Sequence, residues 1–354
     1  MDFPAVTMPF LEVSEVAKNY PLSTGLWRQI RGGGPVVHAL GGVSLKAEEG
    51  EAVALVGESG CGKSTLARLL VRLERPTSGR IALAGEDIAE LRGTALRAWR
   101  RSVQMVFQDP YESLNPRRTV LESVTEPLRY LGLARTVDER RARALDALLQ
   151  VDLVPAEQFG ARLPHQLSGG QRQRVAIARA LVVRPTFIVA DEPVSMLDVS
   201  VRSSVLGVLR RLNRQSGIGL LLITHDIATA VLLCDRVVVM YLGRIVESLP
   251  AEAFAGYARH PYTQLLISAV PDLRRPWSGR LGDAGEIPSA INLPPGCRFA
   301  PRCGLADSRC QREEPAPRPI APGQQVACHH ADRNPAADMP ATFRTAPTTP
   351  PPGG

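Results

Sequence analysis

The sequence GESGCGKST, residues 57–65, follows the apolar run 52–56 and precedes the helical pattern LARLLVRL. Its glycines let backbone N–H groups turn inward around phosphate oxygens, helped by the positive end of the following helix. Lys63 is suited to the β- and γ-phosphates of a nucleotide, and the Ser64 hydroxyl to a Mg²⁺ ion. A glycine-rich turn without a ligand is the alternative, which the strand–loop–helix context disfavours. The residues expected to bind the nucleotide here are Gly57, Ser59, Gly60, Cys61, Gly62, Lys63, Ser64 and Thr65.

An acidic pair follows a second apolar run. Residues 187–190 read as a buried strand, and Asp191 and Glu192 come directly after it. At the carboxyl end of a parallel sheet, Asp191 can hold Mg²⁺ through water and Glu192 can polarise an attacking water. Such a pair alone is often only a solvated turn, but together with the glycine loop it indicates nucleotide hydrolysis.

The stretch LSGGQRQR, residues 167–174, contains a second small-residue loop before a helix. Ser168, Gly169 and Gly170 are therefore expected to form a second anion-binding turn, with Gln171 beside it. Two such turns, well separated in one chain, suggest that each nucleotide is held between two chains.

Four further positions match the motifs of a known family in chain order. Over residues 11–250 the chain resembles the ATP-binding subunits of ABC transporters, whose signature motif is LSGGQ. The resemblance implies that Gln108 senses Mg²⁺ and the membrane partner, that Asp198 contacts a second subunit, and that His225 contacts the γ-phosphate. Tyr20 is the candidate for stacking on adenine, although a lone tyrosine there is more often an edge-packing residue. The resemblance thus implies ATP and Mg²⁺ as ligands, catalytic roles for Glu192, His225 and Gln108, and Mg²⁺ contacts from Ser64, Gln108 and Asp191.

The alternation of strand-like and helical segments predicts an α/β fold with a largely parallel sheet. Short strands are expected in 11–56, near 102–107, at 186–191 and 219–224, and in two segments between 236 and 248, with helices over 119–183, 200–214 and 226–234. The resemblance implies an ABC-type P-loop ATPase core with an antiparallel β subdomain and a helical subdomain. The expected divisions are 1–250 for this ATPase domain, 251–332 for a small Cys-rich extension and 333–354 for a disordered tail.

Three stretches are more particular than the general ABC motifs. Residues 107–120, 260–271 and 285–303 resemble the ATP-binding subunits of oligopeptide/dipeptide importers. The resemblance implies a second ATP-binding subunit, identical or a paralogue, two membrane-spanning permease subunits and an extracytoplasmic peptide-binding protein. Some members of the wider family carry nickel or another small solute, so the cargo stays open between these classes.

The composition limits where the protein can be located and which partners it can have. The 354 residues suit one large domain and an appendage, and 44% hydrophobic with 22% charged residues is typical of a globular protein. No apolar run approaches the roughly 18 residues of a membrane span, and no secretory signal is recognisable, so we expect a peripheral protein on the cytoplasmic face of the membrane. The net charge of +7 comes from scattered arginines, which favours a solvated surface over nucleic acid. A soluble ABC protein acting on nucleic acid and an ATP-binding redox regulator are the rival interpretations.

Four of the six cysteines lie in the Pro-rich C-terminal part, at Cys297, Cys303, Cys310 and Cys328. A small module with little core of its own would gain from a metal, and a cytosolic chain argues against disulfides. No C-x2-C pair is present, which weakens a zinc interpretation, and four cysteines suit a [4Fe–4S] cluster. The spacing also resembles that of clusters in peptide-importer ATP-binding subunits. We therefore favour [4Fe–4S] over Zn²⁺, and either over free thiols, with His329 and His330 expected at the surface or beside the ligands.

Overall fold

The computed structural model describes residues 9–22, 34–270, 286 and 288–333. The strands are β1 Leu11–Pro21, β2 Val36–Ala47, β3 Ala52–Val56, β4 Ser78–Leu83, β5 Glu86–Asp87, β6 Val103–Val106, β7 Phe187–Asp191, β8 Gly219–Ile223, β9 Arg236–Tyr241, β10 Arg244–Pro250, β11 Arg318–Ala321 and β12 Gln324–Val326. The helices are α1 Lys63–Leu70, α2 Gly93–Ser102, α3 Pro110–Ser113, α4 Val120–Leu131, α5 Val137–Gln150, α6 Ala156–Ala161, α7 Gly169–Leu181, α8 Val199–Ser216, α9 Ile227–Leu233, α10 Phe254–Tyr257, α11 Pro261–Ser268 and α12 Ser308–Arg312. No helix in these ranges combines the length and the apolarity of a membrane span.

The main sheet has the strand order β11-β12-β10-β9-β3-β8-β7-β6, and its strands from β9 to β6 are parallel. Strand β3 is buried along its whole length because its two faces serve two cores. Ala52, Ala54 and Val56 face one apolar cluster, and Val53 and Leu55 face the other. A strand covered on both faces reads as a continuous apolar run, which is why the sequence predicts it well. The parallel sheet of the α/β fold is therefore confirmed.

A second, antiparallel sheet has the order β2-β1-β4-β5. Its apolar residues share a core with α1 and with one face of the main sheet, as Leu11, Val43 and Leu66 illustrate. Strand β4 and helix α2 are not among the sequence-based expectations. The first three residues of β4 are exposed, and the strand pairs with β1, which is distant in sequence, as well as with the two-residue strand β5. These strands are the expected antiparallel β subdomain.

Helices α4 to α7 form the expected helical subdomain. Thr119 begins α4 with a capping box, in which its hydroxyl accepts from the Glu122 N–H and the Glu122 carboxylate accepts from the Thr119 N–H. Val124, Leu148 and Val175 bring α4, α5 and α7 to the core on the other face of the main sheet. The subdomain thereby holds the N-terminus of α7, which carries the LSGGQ stretch, at a fixed place.

The C-terminal extension joins the main sheet. Strand β12 pairs with β10, aligning Glu247 with Val326, so the sheet runs on past the expected boundary at residue 250. Phe254, Tyr262 and Phe299 are buried in the main core. An exposed edge at β10 would invite unwanted pairing, and the β11–β12 hairpin covers it. The sequence predicts that the extension has little core of its own, but it does not predict that the extension shares the core of the main sheet. The expected tail from residue 334 onward lies outside the described residues.

Candidate ATP-binding site

Residues 57–65, here called the phosphate loop, run directly from β3 into α1. Gly57 has a φ of +154° and Gly62 a φ of +106°. A Cβ on Gly57 would lie 2.1 Å from the Met240 carbonyl oxygen, and one on Gly62 would lie 2.5 Å from that of Ala39. Both positions therefore need glycine, because the backbone there lies directly against β9 and β2.

Lys63 is the buried cation of this loop. Its Nζ donates to the carbonyl oxygens of Gly57 at 2.7 Å and of Glu58 at 2.9 Å. These neutral acceptors hold the ammonium at the mouth of the loop, where phosphate oxygens could replace them. Of the other loop residues, Ser59 and Gly60 are exposed, Cys61 is buried, and Ser64 and Thr65 are half-buried.

Asp191 ends β7 beside the phosphate loop. Ser64 Oγ donates to Asp191 Oδ1 at 3.2 Å, so two of the three expected Mg²⁺ contacts are adjacent. The third, Gln108, is hydrogen-bonded to the neighbouring Glu192. Burial raises the pKa of Asp191, and the Ser64 hydrogen bond opposes that shift. A buried carboxylate next to a hydroxyl oxygen is a donor set that suits a hard cation such as Mg²⁺.

Glu192 is the meeting point of three loops. Gln108 Nε2 donates to its Oε2 at 3.2 Å, and His225 Nδ1 lies 3.4 Å from the same oxygen. Because β6, β7 and β8 are parallel neighbours, the residues that follow them meet at one edge of the sheet. The Glu192 N–H donates to the Ile223 carbonyl at 2.9 Å, which fixes a backbone with a φ of +44°. The structure therefore brings together the three residues expected to be catalytic.

The LSGGQ stretch forms the N-terminus of α7. Ser168 Oγ accepts from the Gln171 N–H at 3.3 Å, and Gln171 Oε1 accepts from the Ser168 N–H at 3.0 Å. A Cβ on Gly170 would lie 2.2 Å from a methyl group of Val201, so the turn has no space for a larger residue. In the described part of the chain, no hydrogen bond joins Ser168 or Gln171 to the phosphate loop. Ser168 is exposed, so this turn is open to solvent.

Helix α7 also contacts the residues on both sides of Gln108, which the sequence does not indicate. Gln173 is fully buried, and its Nε2 donates to the Phe107 carbonyl at 3.4 Å. The Arg172 guanidinium lies 4.0 Å from the ring centroid of Tyr111. The loop after β6 and the second anion-binding turn therefore share a support.

Tyr20 and Asp198 complete the expected set. The Tyr20 hydroxyl donates to Glu74 Oε2 at 2.5 Å, and its ring lies under Lys18 at 4.9 Å. Burial and the Glu74 carboxylate raise the pKa of the Tyr20 hydroxyl, while Thr65 of the phosphate loop opposes that shift. Asp198 begins α8 and is exposed, as a contact to a second subunit requires.

The phosphate loop has partners in the C-terminal extension that sequence reasoning missed. Arg302 forms a bidentate ion pair with Glu58, and the Tyr262 hydroxyl accepts from the Glu58 N–H. Tyr262 belongs to the HPY stretch and Arg302 precedes a cysteine. Nothing in the sequence around either residue predicts a contact with Glu58, which lies more than 200 residues earlier in the chain.

The four C-terminal cysteines surround one small cavity. It is lined by Cys297, Cys303, Cys310 and Cys328 together with His329 and His330. Burial raises the pKa of each of these thiols, that of Cys328 to about 11, and the other three thiols add to that shift. All four are free of disulfides. His330 lies with Asp307 and Cys310 in a group whose ligand atoms are within 4.8 Å of one another, so it is closer to a ligand position than expected.

Two family models match the chain. A model described as ABC transporter matches residues 40–195, and one described as oligopeptide/dipeptide transporter, C-terminal region, matches residues 246–310. The chain is 49% identical over 322 residues to a probable peptide ABC transporter ATP-binding protein, y4tS, of Sinorhizobium fredii, covering 90% of this chain and 89% of that protein. It is 42% identical over 330 residues to the dipeptide transport ATP-binding protein DppF of Escherichia coli, covering 92% and 96%.

Solved structures show the same fold. The dimeric post-hydrolysis structure of the ATP-binding cassette MJ0796, bound to ADP and Pi, has a TM-score of 0.59 and 34% identity, covering 68% of this chain and 98% of that one. The cassette cbiO1 of Clostridium perfringens has a TM-score of 0.57 and 32% identity, covering 69% and 89%. The family that the sequence resembles is thereby confirmed: the chain belongs to the ABC transporter ATP-binding proteins, and its C-terminal region to that of the oligopeptide/dipeptide transporters.

Proposed function

We propose that this chain hydrolyses ATP to power the import of peptides through a membrane ABC transporter. ATP hydrolysis is the chemistry of its family, and the geometry around Glu192 supports it at this site. The relatives with named cargo are peptide and dipeptide transport proteins, and the oligopeptide/dipeptide region at residues 246–310 supports the same cargo class here. The observation that carries the proposal is the convergence of Gln108, Glu192 and His225 next to the Ser64–Asp191 contact.

In the proposed reaction the chain positions ATP and stabilises charge. The phosphate loop surrounds the phosphates with backbone N–H groups, and Lys63 gives up its carbonyl partners to bind β- and γ-phosphate oxygens. Ser64 and Asp191 would hold Mg²⁺, which supplies positive charge to the phosphoryl oxygens. Glu192 orients and polarises the attacking water, with its carboxylate held by Gln108, and His225 contacts the γ-phosphate from the next strand.

The site is completed by a second ATP-binding subunit. The exposed Ser168 turn of one chain, with Gly169, Gly170 and Gln171, faces the phosphate loop of the other, and Asp198 lies at the contact. The exposure of Ser168 supports this arrangement, and the MJ0796 cassette to which the fold is similar is dimeric. The partner is an identical chain or a paralogue, and Tyr20 stacks on the adenine of the bound ATP.

The remaining partners follow from the cargo class. We place the chain on the cytoplasmic face of the membrane, docked to two permease subunits, with an extracytoplasmic peptide-binding protein delivering the peptide. The exposed aromatic rings of Phe107 and Tyr111, directly after β6, suit a contact that moves Gln108 when the permease moves. Nucleic acid is not a partner in this proposal.

The cysteine cavity is proposed to hold a [4Fe–4S] cluster. A single tetrahedral Zn²⁺ with bonds of about 2.3 Å would bring its four sulfurs to about 3.8 Å from one another. Within the described residues, no three of these cysteine sulfurs lie within 4.8 Å of one another. In each set of three of these sulfurs, at least one pair is therefore more than 4.8 Å apart, which suits ligands that each bind a different iron of a cluster. Cys297, Cys303, Cys310 and Cys328 would be the ligands, and thiolates at a cluster escape the cost that burial imposes on free ones.

The test is ATP-dependent uptake of a labelled peptide into membrane vesicles that carry the whole transporter. In Glu192→Gln, hydrolysis is expected to fall by about 10²–10⁴-fold and uptake to be lost, while ATP binding remains. Glu157→Gln is the matched control, because Glu157 is an exposed carboxylate on α6. ATPase activity without uptake of any peptide would overturn the cargo, and unchanged hydrolysis in Glu192→Gln would overturn the role of Glu192.

A further inference from the structure

Glu58, the second residue of the phosphate loop, is held from two sides by the C-terminal extension. Its carboxylate accepts from Arg302 Nη1 at 2.8 Å and from Nη2 at 3.0 Å, a bidentate pair. Its backbone N–H donates to the Tyr262 hydroxyl at 2.8 Å. Its carbonyl accepts from Lys63 Nζ at 2.9 Å, so one residue joins the extension to the phosphate-binding cation.

Arg302 and Tyr262, the two residues that hold Glu58, are supported by a buried aromatic cluster, which forms a base for them. The rings of Tyr241, Tyr262 and Phe299 pack with centroid separations of 4.6, 5.3 and 5.5 Å, and all three are buried. Tyr241 ends β9, the strand next to β3, so this base is continuous with the sheet that carries the phosphate loop. Arg302 lies 5.7 Å from the Tyr241 ring centroid and donates to its hydroxyl at 3.3 Å. The aromatic cluster therefore fixes the direction from which the guanidinium reaches Glu58.

The pair also has an electrostatic consequence at the phosphate loop. A carboxylate at Glu58 places negative charge in a loop whose ligand is itself strongly negative, which would oppose binding unless it is neutralised. The side chain of Arg302 is only 6% exposed and that of Glu58 is 25% exposed, so solvent screens the pair incompletely. Two parallel N–H···O bonds neutralise the carboxylate and fix its orientation at once.

We infer that Arg302 and Tyr262 are positioning residues for ATP, which act through Glu58 to set the shape and the charge of the phosphate loop. The inference rests on the proposed function, since it requires ATP at this loop. Arg302 directly precedes Cys303, and the one-turn helix Ala300–Arg302 links it to the cysteine cavity. The segment that lines that cavity is thus also the segment that holds the loop.

Steady-state ATP hydrolysis by the whole transporter complex tests the inference. Arg302→Met is expected to raise the KM for ATP by about 10-fold to 100-fold with a smaller change in kcat, because the unpaired Glu58 carboxylate opposes the phosphates. Glu58→Gln removes that charge and is expected to have the smaller effect. The double variant Glu58→Gln/Arg302→Met is expected to match Glu58→Gln, because Arg302 has no charge left to neutralise. Arg302→Lys keeps the positive charge but cannot form two parallel hydrogen bonds to the carboxylate. Its affinity for ATP is expected to lie between those of Arg302→Met and the wild type.

Arg318→Met is the control within the extension. Arg318 lies on β11 and its partner Asp332 is 67% exposed, so loss of this pair is expected to leave the KM unchanged. Tyr262→Phe removes only the hydroxyl that accepts from Glu58, and it is expected to raise the KM even if Arg302→Met fails to fold.

Three results would overturn the inference while leaving the proposed function intact. They are a KM in Arg302→Met equal to that of Arg318→Met, effects of Glu58→Gln and Arg302→Met that add in the double variant, and an unchanged KM in Tyr262→Phe. A wild-type complex that hydrolyses no ATP would instead overturn the proposed function and this inference with it.

Discussion

The amide of Gln108 donates to Glu192 Oε2 at 3.2 Å, across the gap between the ends of β6 and β7. His225 approaches the same oxygen from the end of β8, at 3.4 Å. One carboxylate oxygen is thus in contact with the two loops next to it. A displacement of the segment after β6 would change the support of the residue proposed to activate water. A permease docked at that segment, as proposed above, would therefore act directly on the position of Glu192.

Gln108→Leu is expected to lower kcat for ATP hydrolysis by about 10-fold to 100-fold, because the carboxylate of Glu192 loses a donor that orients it. The KM for ATP should change little, since Gln108 makes no contact with the phosphate loop among the described hydrogen bonds. The measurement is steady-state hydrolysis by the assembled transporter.

Gln104→Leu is the matched control for that variant. Gln104 lies on β6, the strand that leads to Gln108, and its amide donates to the Arg100 carbonyl of α2, away from Glu192. An equal loss of kcat in both variants would mean that the strand, and not the contact with Glu192, is responsible.

Asp191→Asn is expected to stabilise the ligand-free protein while abolishing Mg²⁺-dependent hydrolysis. Burial raises the pKa of Asp191, so the folded chain holds that proton more tightly than the unfolded chain does. Stability in the wild type therefore falls as the pH rises from the usual aspartate range through the raised pKa, and stays lower above it. The variant should melt about 1–3 °C higher at neutral pH, with a difference that vanishes in acid.

Thermal melting of both proteins across pH checks this expectation. Asp146→Asn is the control, because Asp146 is exposed on α5 and accepts only from Gln150 among the described contacts. A wild type that is the more stable of the two at neutral pH would show that the ionised Asp191 is compensated in the folded chain.

Much of the site could be predicted because local sequence dictates it. The phosphate loop is a continuous stretch whose glycines have positive φ, and Asp191 ends a strand that is otherwise apolar on both faces. What escaped prediction depends on contacts between distant residues. Tertiary packing determines the pairing of β12 with β10 and the ion pair of Arg302 with Glu58. Because the chain contains many arginines, the sequence does not show which of them binds Glu58.

Cys303→Ser is expected to remove most of the iron from the protein. The full chain, purified without air, should contain about four irons and four sulfides, and loss of one thiolate weakens the hold on the cluster. Iron, sulfide and zinc content and the visible absorption spectrum are the measurements. Cys234→Ala is the control, since Cys234 is a buried thiol next to Asp235 and outside the cysteine cavity. One zinc per chain and no iron would contradict the proposed cluster and indicate a site for a single zinc ion.

Ser168→Arg is expected to leave ATP binding to a single chain intact while preventing ATP-dependent association of two ATP-binding subunits. Ser168 is exposed at the start of α7 and its N–H and hydroxyl are joined to Gln171, so an arginine there fills the turn proposed to face the phosphates of the partner. Association of the ATP-binding subunits of the transporter is measured by light scattering in the presence of MgATP. The subunits carry Glu192→Gln as well, so that bound ATP is not hydrolysed during the measurement. Ser203→Arg on α8 is the control, because Ser203 is an exposed serine outside the LSGGQ stretch. Association that survives in Ser168→Arg would show that the nucleotide is not held between two chains at this turn.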